Sequence, residues 1–149
     1  MSDALVIDAV RKTVTVNCAV EEAFRVFTAD ARSWWPVASH SIAGEEVEEI
    51  VFEGEEGGRV LEVATSGETA HWATVIAWDP PACLVLAWNV LGREAASTEV
   101  EIRFTPDGEG TRVELEHRGW EAIAEAAEKR ENYDSGWERV LGSYVRRLS

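Results

Sequence analysis

Three histidines, His40, His71 and His117, carry the acid–base potential of this chain near neutral pH. They fall on three separate stretches, so a metal site would need all three to converge with a carboxylate, and no metal is expected. His117 is the strongest of them for polar chemistry. It continues the row Val113, Leu115 along "RVELEH", and an imidazole on an inward strand face can take or give a proton. The same position suits a hydrogen-bonded core histidine, so His117 is a weak catalytic candidate and no firm one is assigned. Thr74, Asn89 and Tyr144 could add hydrogen bonds in a pocket, yet none is spaced with a recognisable base. The sequence has no nucleophile elbow, zinc-protease helix, phosphate loop or dinucleotide fingerprint, so no cofactor is expected either.

The other conspicuous feature is aromatic. In "ARSWWPVASHS", residues 31–41, Trp34 and Trp35 stand directly before a proline on a short connector. Such a pair either roofs an apolar pocket or staples its segment to the core. With seven tryptophans in 149 residues, most must simply fill volume, since each buries roughly 150 to 250 Å².

The elements that must position these residues follow from hydrophobic period. Val10, Val14 and Val16 share one side of a strand spanning about residues 6–16. In "VEEAFRVFTAD" the period turns helical, with Val20, Ala23, Phe24 and Phe27 on one face and Glu21 and Glu22 in the first turn. Asp30 is placed to cap a second short helix through "ARSWW", which Pro36 ends. From about residue 46 to 118, turn chemistry at "GEEGG", "SGE", "DPPA", "NVLGREAAS" and "PDGEG" divides six strands of an antiparallel meander. Strand 98–104 sets Thr98, Val100, Ile102 and Phe104 against Glu99, Glu101 and Arg103, so one face is buried and the other wet. Strand 71–78 cannot be assigned an inward face, because Trp72, Ile76 and Trp78 oppose Ala73, Val75 and Ala77. Two helical stripes close the chain. Trp120, Ile123, Ala124 and Ala127 form the first, Trp137 to Leu148 the second, and Ser135 with Glu138 matches a capping box between them.

This is an α+β layout in one domain, residues 1–149, in which a curved antiparallel sheet of about seven strands buries one face against a long C-terminal helix. The order resembles the helix-grip fold of the START-related, polyketide cyclase-like (SRPBCC) superfamily. Within it the chain is similar to the branch named after homologues of the activator of heat-shock protein 90 ATPase. The resemblance covers nearly the whole sequence and rests on "VEEAFRVFT", "SWWP", "VFEGEEGGRV", "VIAWDPPACLVLAW", "STEVEIRFTPDGEGTRVELEHRGW" and "YDSGWERVL".

That resemblance implies an elongated apolar cavity between sheet and helix. It would place Trp34 and Trp35 at the rim, with Trp88, His117 and Trp120 as lining and Tyr144 as a further ligand-binding candidate. The leading expectation is a binder of a small apolar molecule rather than an enzyme. A cyclase- or dehydratase-type enzyme using the same cavity is the alternative, and a chaperone-interacting protein a third reading. The third is disfavoured: the co-chaperone that names the branch has an additional N-terminal domain, and this chain matches only its C-terminal part.

Charge narrows the partners further. Twenty-eight acidic against fourteen basic residues give a net charge of −14, which repels nucleic acid and anionic membrane surfaces. No apolar run approaches the roughly 20 residues of a membrane span, and no leader is evident, so a cytoplasmic location is expected. Cys18 and Cys83 are expected as buried free thiols. Antiparallel strand edges and exposed tryptophans leave a homodimer open.

Overall fold

The computed structural model describes residues 7–149. The strands are β1 (Val10–Val16), β2 (Val47–Phe52), β3 (Arg59–Ala64), β4 (Thr69–Asp79), β5 (Cys83–Trp88), β6 (Thr98–Asp107) and β7 (Gly110–Arg118), with helices α1 (Val20–Thr28) and α2 (Ala126–Arg147). They form one antiparallel sheet in the order β1-β7-β6-β5-β4-β3-β2. The meander therefore runs outward from β7 to β2, and β1 closes the other side by pairing with β7. This is the helix-grip fold: the sheet curls around α2, and α1 fills the space between them. The strand expected from residue 6 begins at Val10, and residue 6 itself lies outside the described residues.

Period-2 alternation on β6 and β7 supplies the floor of the core, with Val100, Ile102, Phe104, Val113 and Leu115 each no more than 3% exposed. Their outward neighbours hold an ionic lattice in which Arg118 meets Glu99, Glu101 and Glu116. On α1, Phe24 and Phe27 pack edge-on against Phe104, and Phe24 also meets Trp78. On α2, Trp137, Val140, Leu141 and Tyr144 turn into the sheet. Tyr144 Oη donates to the carbonyl of Ala23 at 2.6 Å, and Ser143 Oγ donates to the carbonyl of Trp34. At its other end α2 is tied to β1 by Lys12 to Asp134 and by Arg130, which donates to the carbonyls of Asp8 and Ala9.

The ambiguity of strand 71–78 has a physical source. Between Val60 and Leu61 the β3–β4 register shifts so that Trp72 faces no partner, and between Val75 and Ala77 the β4–β5 register shifts at Ile76. Each bulge advances the pleat by one residue. Trp72, Ala73 and Val75 are consequently all buried, while Ile76 is exposed.

Three local expectations are corrected. The second short helix is a single 3₁₀ turn, Ala31–Ser33, and the Asp30 side chain does not cap it but pairs with Arg147 at 3.0 Å. The two C-terminal helices are one helix of 22 residues, preceded by a 3₁₀ turn at Trp120–Ala122. Ser135 is thus inside α2, where its hydroxyl donates to the carbonyl of Glu131 rather than capping. The polar stretch "EKREN" interrupts the apolar stripe without interrupting the backbone, because its side chains are spent on ion pairs and carbonyls of neighbouring segments, Lys129 on Glu94 and Arg130 on Asp8 and Ala9. Third, the two free thiols are only half-buried, and none of the seven tryptophans is exposed.

The Tyr144 hydroxyl is the one polar link from the buried stripe of α2 to α1. Tyr144→Phe is expected to lower unfolding stability by about 1–2 kcal/mol, read as a lower denaturant midpoint at unchanged slope.

Candidate functional site

The candidate site begins with a buried acid. Val60, Glu62 and Ala64 occupy one inward row of β3, and Glu62 is 1% exposed. Its Oε1 accepts from the backbone N–H of Ile42 and from Trp72 Nε1–H, both at 2.8 Å, while Oε2 accepts from the backbone N–H of Ala43 at 2.7 Å. Three N–H donors replace the water that a carboxylate loses on burial. The side chain thereby fastens the connector after α1 to the sheet and orients the bulged Trp72. The connector turns twice more on itself. Ser41 Oγ donates to the carbonyl of Val37 and accepts from Gly44 N–H, and Trp35 Nε1–H donates to the carbonyl of His40 at 2.8 Å.

Against this connector lies a cleft of about 230 Å³, bounded by the tips of β4 and β5 and by the middle of α2. Its wall is four indoles in mutual contact. Ring centroids are 4.9 Å apart for Trp35 and Trp72, 6.1 Å for Trp72 and Trp88, 5.5 Å for Trp88 and Trp137, and 6.0 Å for Trp137 and Trp35. Such tilted and edge-on pairs are favoured by the ring quadrupoles. Each indole N–H is committed to the protein: Trp35 to His40, Trp72 to Glu62, Trp88 to Tyr133 Oη at 2.9 Å, and Trp137 to His117 Nδ1 at 3.0 Å. What the wall presents is apolar ring face. Ile42 and Val140 add aliphatic surface, and Gly136 leaves a notch in α2, where a Cβ would stand 3.7 Å from the His40 ring.

Polar groups are few. Tyr133 Oη accepts from Trp88, which leaves its own hydrogen free, and burial pushes its pKa up, so it stays a donor. Ser39 and His40 stand at the opposite lip, 2.6 Å apart through Oγ and Nδ1. Burial and the neighbouring Arg139 push the His40 pKa down, so its imidazole is neutral at neutral pH.

The residues expected from sequence divide into two groups. Trp35 and Trp88 are in the cleft wall. Trp34 is packed behind it, its ring between Phe27, Trp35 and Tyr144 and its N–H on the carbonyl of Val26, and Tyr144 is fully buried beside it. Trp120 borders a neighbouring shallow cleft of about 270 Å³ on the far side of Trp88 and Tyr133. His117 is 0% exposed and touches neither opening. Because Trp137 donates to Nδ1, the proton sits on Nε2 and is given to Thr98 Oγ1 at 2.7 Å. Both ring nitrogens are thus engaged, and burial lowers the pKa to about 3. The geometry makes His117 an anchor for Trp137.

Sequence reasoning missed Trp72, Tyr133, Trp137 and His40 as wall or lip residues, and Glu62 as their support. Glu62 left a trace: a carboxylate in the inward row between Val60 and Ala64 is out of pattern. Tyr133 and His40 left none. His71, Asn89 and Thr74 do not join the cleft. Among the described residues, no three His, Cys, Asp or Glu side chains gather to hold a metal ion, and no helix is long and apolar enough to cross a membrane.

Comparison with known proteins places this architecture among relatives. The sequence model of a family described as "Activator of Hsp90 ATPase homolog 1-like protein" matches residues 17–148. Of solved structures, the chain is similar to Txn09, an anthrahydroquino-γ-pyrone synthase, at 29% identity and TM-score 0.62, covering 94% of this chain and 96% of that one. It is similar to CalC, a self-sacrificing resistance protein from Micromonospora echinospora, at 28% identity and TM-score 0.70, covering 95% and 94%. The Aha1 dimer from Colwellia psychrerythraea shares the fold at 15% identity and TM-score 0.68, covering 95% and 96%. No curated protein sequence matches.

Two outcomes follow from the anchors of the wall. Glu62→Gln faces an NH₂ group toward an N–H donor and is expected to cost about 1–3 kcal/mol, measured by chemical denaturation. For His117, the unfolded imidazole protonates near 6.5 and the folded one only near 3. Between these values the unfolded chain binds more protons, so stability falls as pH drops from 6.5 toward 3, by up to about 1.4 kcal/mol per pH unit. Gln can still accept from Trp137 and donate to Thr98, so His117→Gln is expected to flatten the loss between about pH 6.5 and 5, above the range where carboxylates titrate.

Proposed function

The chain belongs to the activator of Hsp90 ATPase homolog 1-like family, and from that membership together with the tryptophan-walled cleft we propose that it binds a small, flat aromatic molecule. One observation carries the reading. All four wall indoles have their N–H groups tied to protein acceptors, so the cleft offers an apolar aromatic wall held rigidly in place, with the hydrogen of the Tyr133 hydroxyl as a free donor. A fused-ring ligand stacks on such a surface without the wall having to reorganise.

The magnitude is adequate. Burying roughly 200 Å² of apolar ligand surface at about 25 cal/mol per Å² is worth about 5 kcal/mol, and each good ring contact adds about 0.5–1.5 kcal/mol. Ordering costs take part of this back, so affinity is expected between about 1 mM and 1 μM. At about 230 Å³ the cleft is smaller than the usual ~300–1,000 Å³ of small-molecule sites, which favours a compact ring system over a long acyl chain. The similarity to Txn09, a synthase of a small polycyclic product that is 29% identical over 94% of this chain, supports a small-molecule role over a protein-partner role.

Gly136 provides the test. It lies in the middle of α2 and forms the cleft's notch. Replacing a helix-interior glycine removes a penalty of about 1 kcal/mol, so Gly136→Phe is expected to keep or raise stability while its ring occupies the cleft. Titration of the wild type with hydroxylated naphthoquinones and anthraquinones should quench tryptophan emission saturably and raise the melting temperature. Gly136→Phe should abolish both responses. Binding that survives this substitution would place the ligand elsewhere.

A further inference from the structure

The tryptophan-walled cleft and its shallow neighbour lie in line along α2. Lys129 lines the far cleft, Tyr133 lines both, and Gly136, Trp137 and Val140 line the near one. Steps of three and four residues keep these positions on one face of the helix, over about 16 Å of its length. From the sheet side, Trp88 and Val90 likewise belong to both openings. A single layer of side chains therefore separates them, and Tyr133 is the member of that layer that α2 contributes. Tyr133 is held from several sides. Its oxygen accepts from Trp88 Nε1–H at 2.9 Å, and its ring stands perpendicular to that indole with centroids 6.4 Å apart. The same ring meets His117 edge-on at 4.9 Å and tilts against Trp120 at 5.5 Å. Both of those neighbours are fixed in turn, since His117 is spent on Trp137 and Thr98, and Trp120 Nε1–H donates to the carbonyl of His117 at 2.9 Å. The far compartment is as firmly built. Asn89 exchanges hydrogen bonds of 3.1 and 3.0 Å with the backbone of Glu94, whose carboxylate pairs with Lys129 at 2.6 Å. At about 230 and 270 Å³, each compartment alone falls below the usual ~300–1,000 Å³ of small-molecule sites, and the two together fall inside it.

We propose that Tyr133 is the specificity-determining residue of the site: its ring divides one slot along α2 in two and restricts the ligand to a ring system short enough to stop against it. The inference rests on the reading of the near cleft as an aromatic-ligand site. From Tyr133 to Val140 the helix advances only about 10 Å, room for two fused rings and too little for four in line. A longer ligand extended toward Lys129 runs into the phenol ring. Moving that ring aside gives up its hydrogen bond and three aromatic contacts at once. The barrier is the ring, and the bond from Trp88 only steadies it.

The probes are a hydroxylated 1,4-naphthoquinone, with two fused rings, and a hydroxylated 5,12-naphthacenequinone, with four in line, each titrated against tryptophan emission. The wild type is expected to bind the two-ring quinone about tenfold more tightly than the four-ring one. Tyr133→Ala puts the best helix former into α2 and joins the compartments. It should reverse that order, raising the four-ring affinity about tenfold or more as the added rings leave water, with little change for the two-ring quinone. Tyr133→Phe keeps the ring and should keep the wild-type order. Adding Ile123→Trp to Tyr133→Ala refills the far compartment, which Ile123 lines, and should take back the four-ring gain alone. A merely loosened core weakens both ligands together, so the ratio of the two affinities is the diagnostic readout. Should the alanine variant be unfolded at the assay temperature, Tyr133→Leu makes the same comparison with more of the packing kept. A wild type that binds both quinones equally, or an order that neither Tyr133→Ala nor Tyr133→Leu changes, would overturn the partition and leave the binding reading standing. Failure of the wild type to bind the two-ring quinone would overturn the binding reading itself.

Discussion

A single buried carboxylate organises the business end of this molecule. Glu62 sits in a row that should be apolar, and a charge there without compensation would be prohibitive. The sheet and the connector answer it with three N–H donors, two from the backbone at Ile42 and Ala43 and one from Trp72. Those donors come from two parts of the cleft: the connector, which forms one lip, and Trp72, the first ring of the wall. Remove the acid and the connector loses its attachment to β3, Trp72 loses its orientation, and Trp35 loses the ring it packs against. The β-bulge at Trp72 serves the same end, since without the extra residue the pleat could not bury Trp72 and Ala73 side by side.

From Trp72 the order propagates by a repeated device. Every wall indole is fixed at two points, by stacking on its neighbours and by a hydrogen bond from its N–H to the protein, on a different segment for all but Trp35. The partners are a carbonyl, a carboxylate, a phenol and an imidazole. His117 shows why an acid–base residue can be structural. Its place in the chain looks chemically promising, but Trp137 and Thr98 use both nitrogens, and burial keeps it neutral. The histidine that does reach the cleft is instead His40, on a loop whose sequence carries no periodic signal.

Much of the architecture was legible beforehand because it rests on period. The alternation of β6 and β7, the stripe of α2 and the apolar face of α1 all report directly which side is buried. The aromatic segment after α1 was legible as important, though only Trp35 of the pair reaches the cleft while Trp34 is core. What was not legible was set by irregularity or by distance. Two bulges in β4 defeat any period-2 reading of "HWATVIAW". The continuity of α2 through "EKREN" goes with contacts to distant segments, Lys129 to Glu94 and Arg130 to Asp8 and Ala9, and a serine three residues before a glutamate imitates a cap in the middle of a helix. Tyr133 becomes a site residue only because Trp88, 45 positions away, points its N–H at it, and no local pattern encodes that meeting.

The mutual arrangement of the wall indoles also has an optical consequence. Four rings at centroid separations of 4.9 to 6.1 Å and at fixed tilts are close enough for their electronic transitions to couple. Light absorbed by one of them is shared among all, and Trp34, 5.4 Å from Trp35, feeds the same pool. The strong indole transitions in the far ultraviolet should therefore show exciton-coupled circular dichroism from this one corner of the fold, and a single chromophore laid against any of its rings would perturb the spectrum of the whole set.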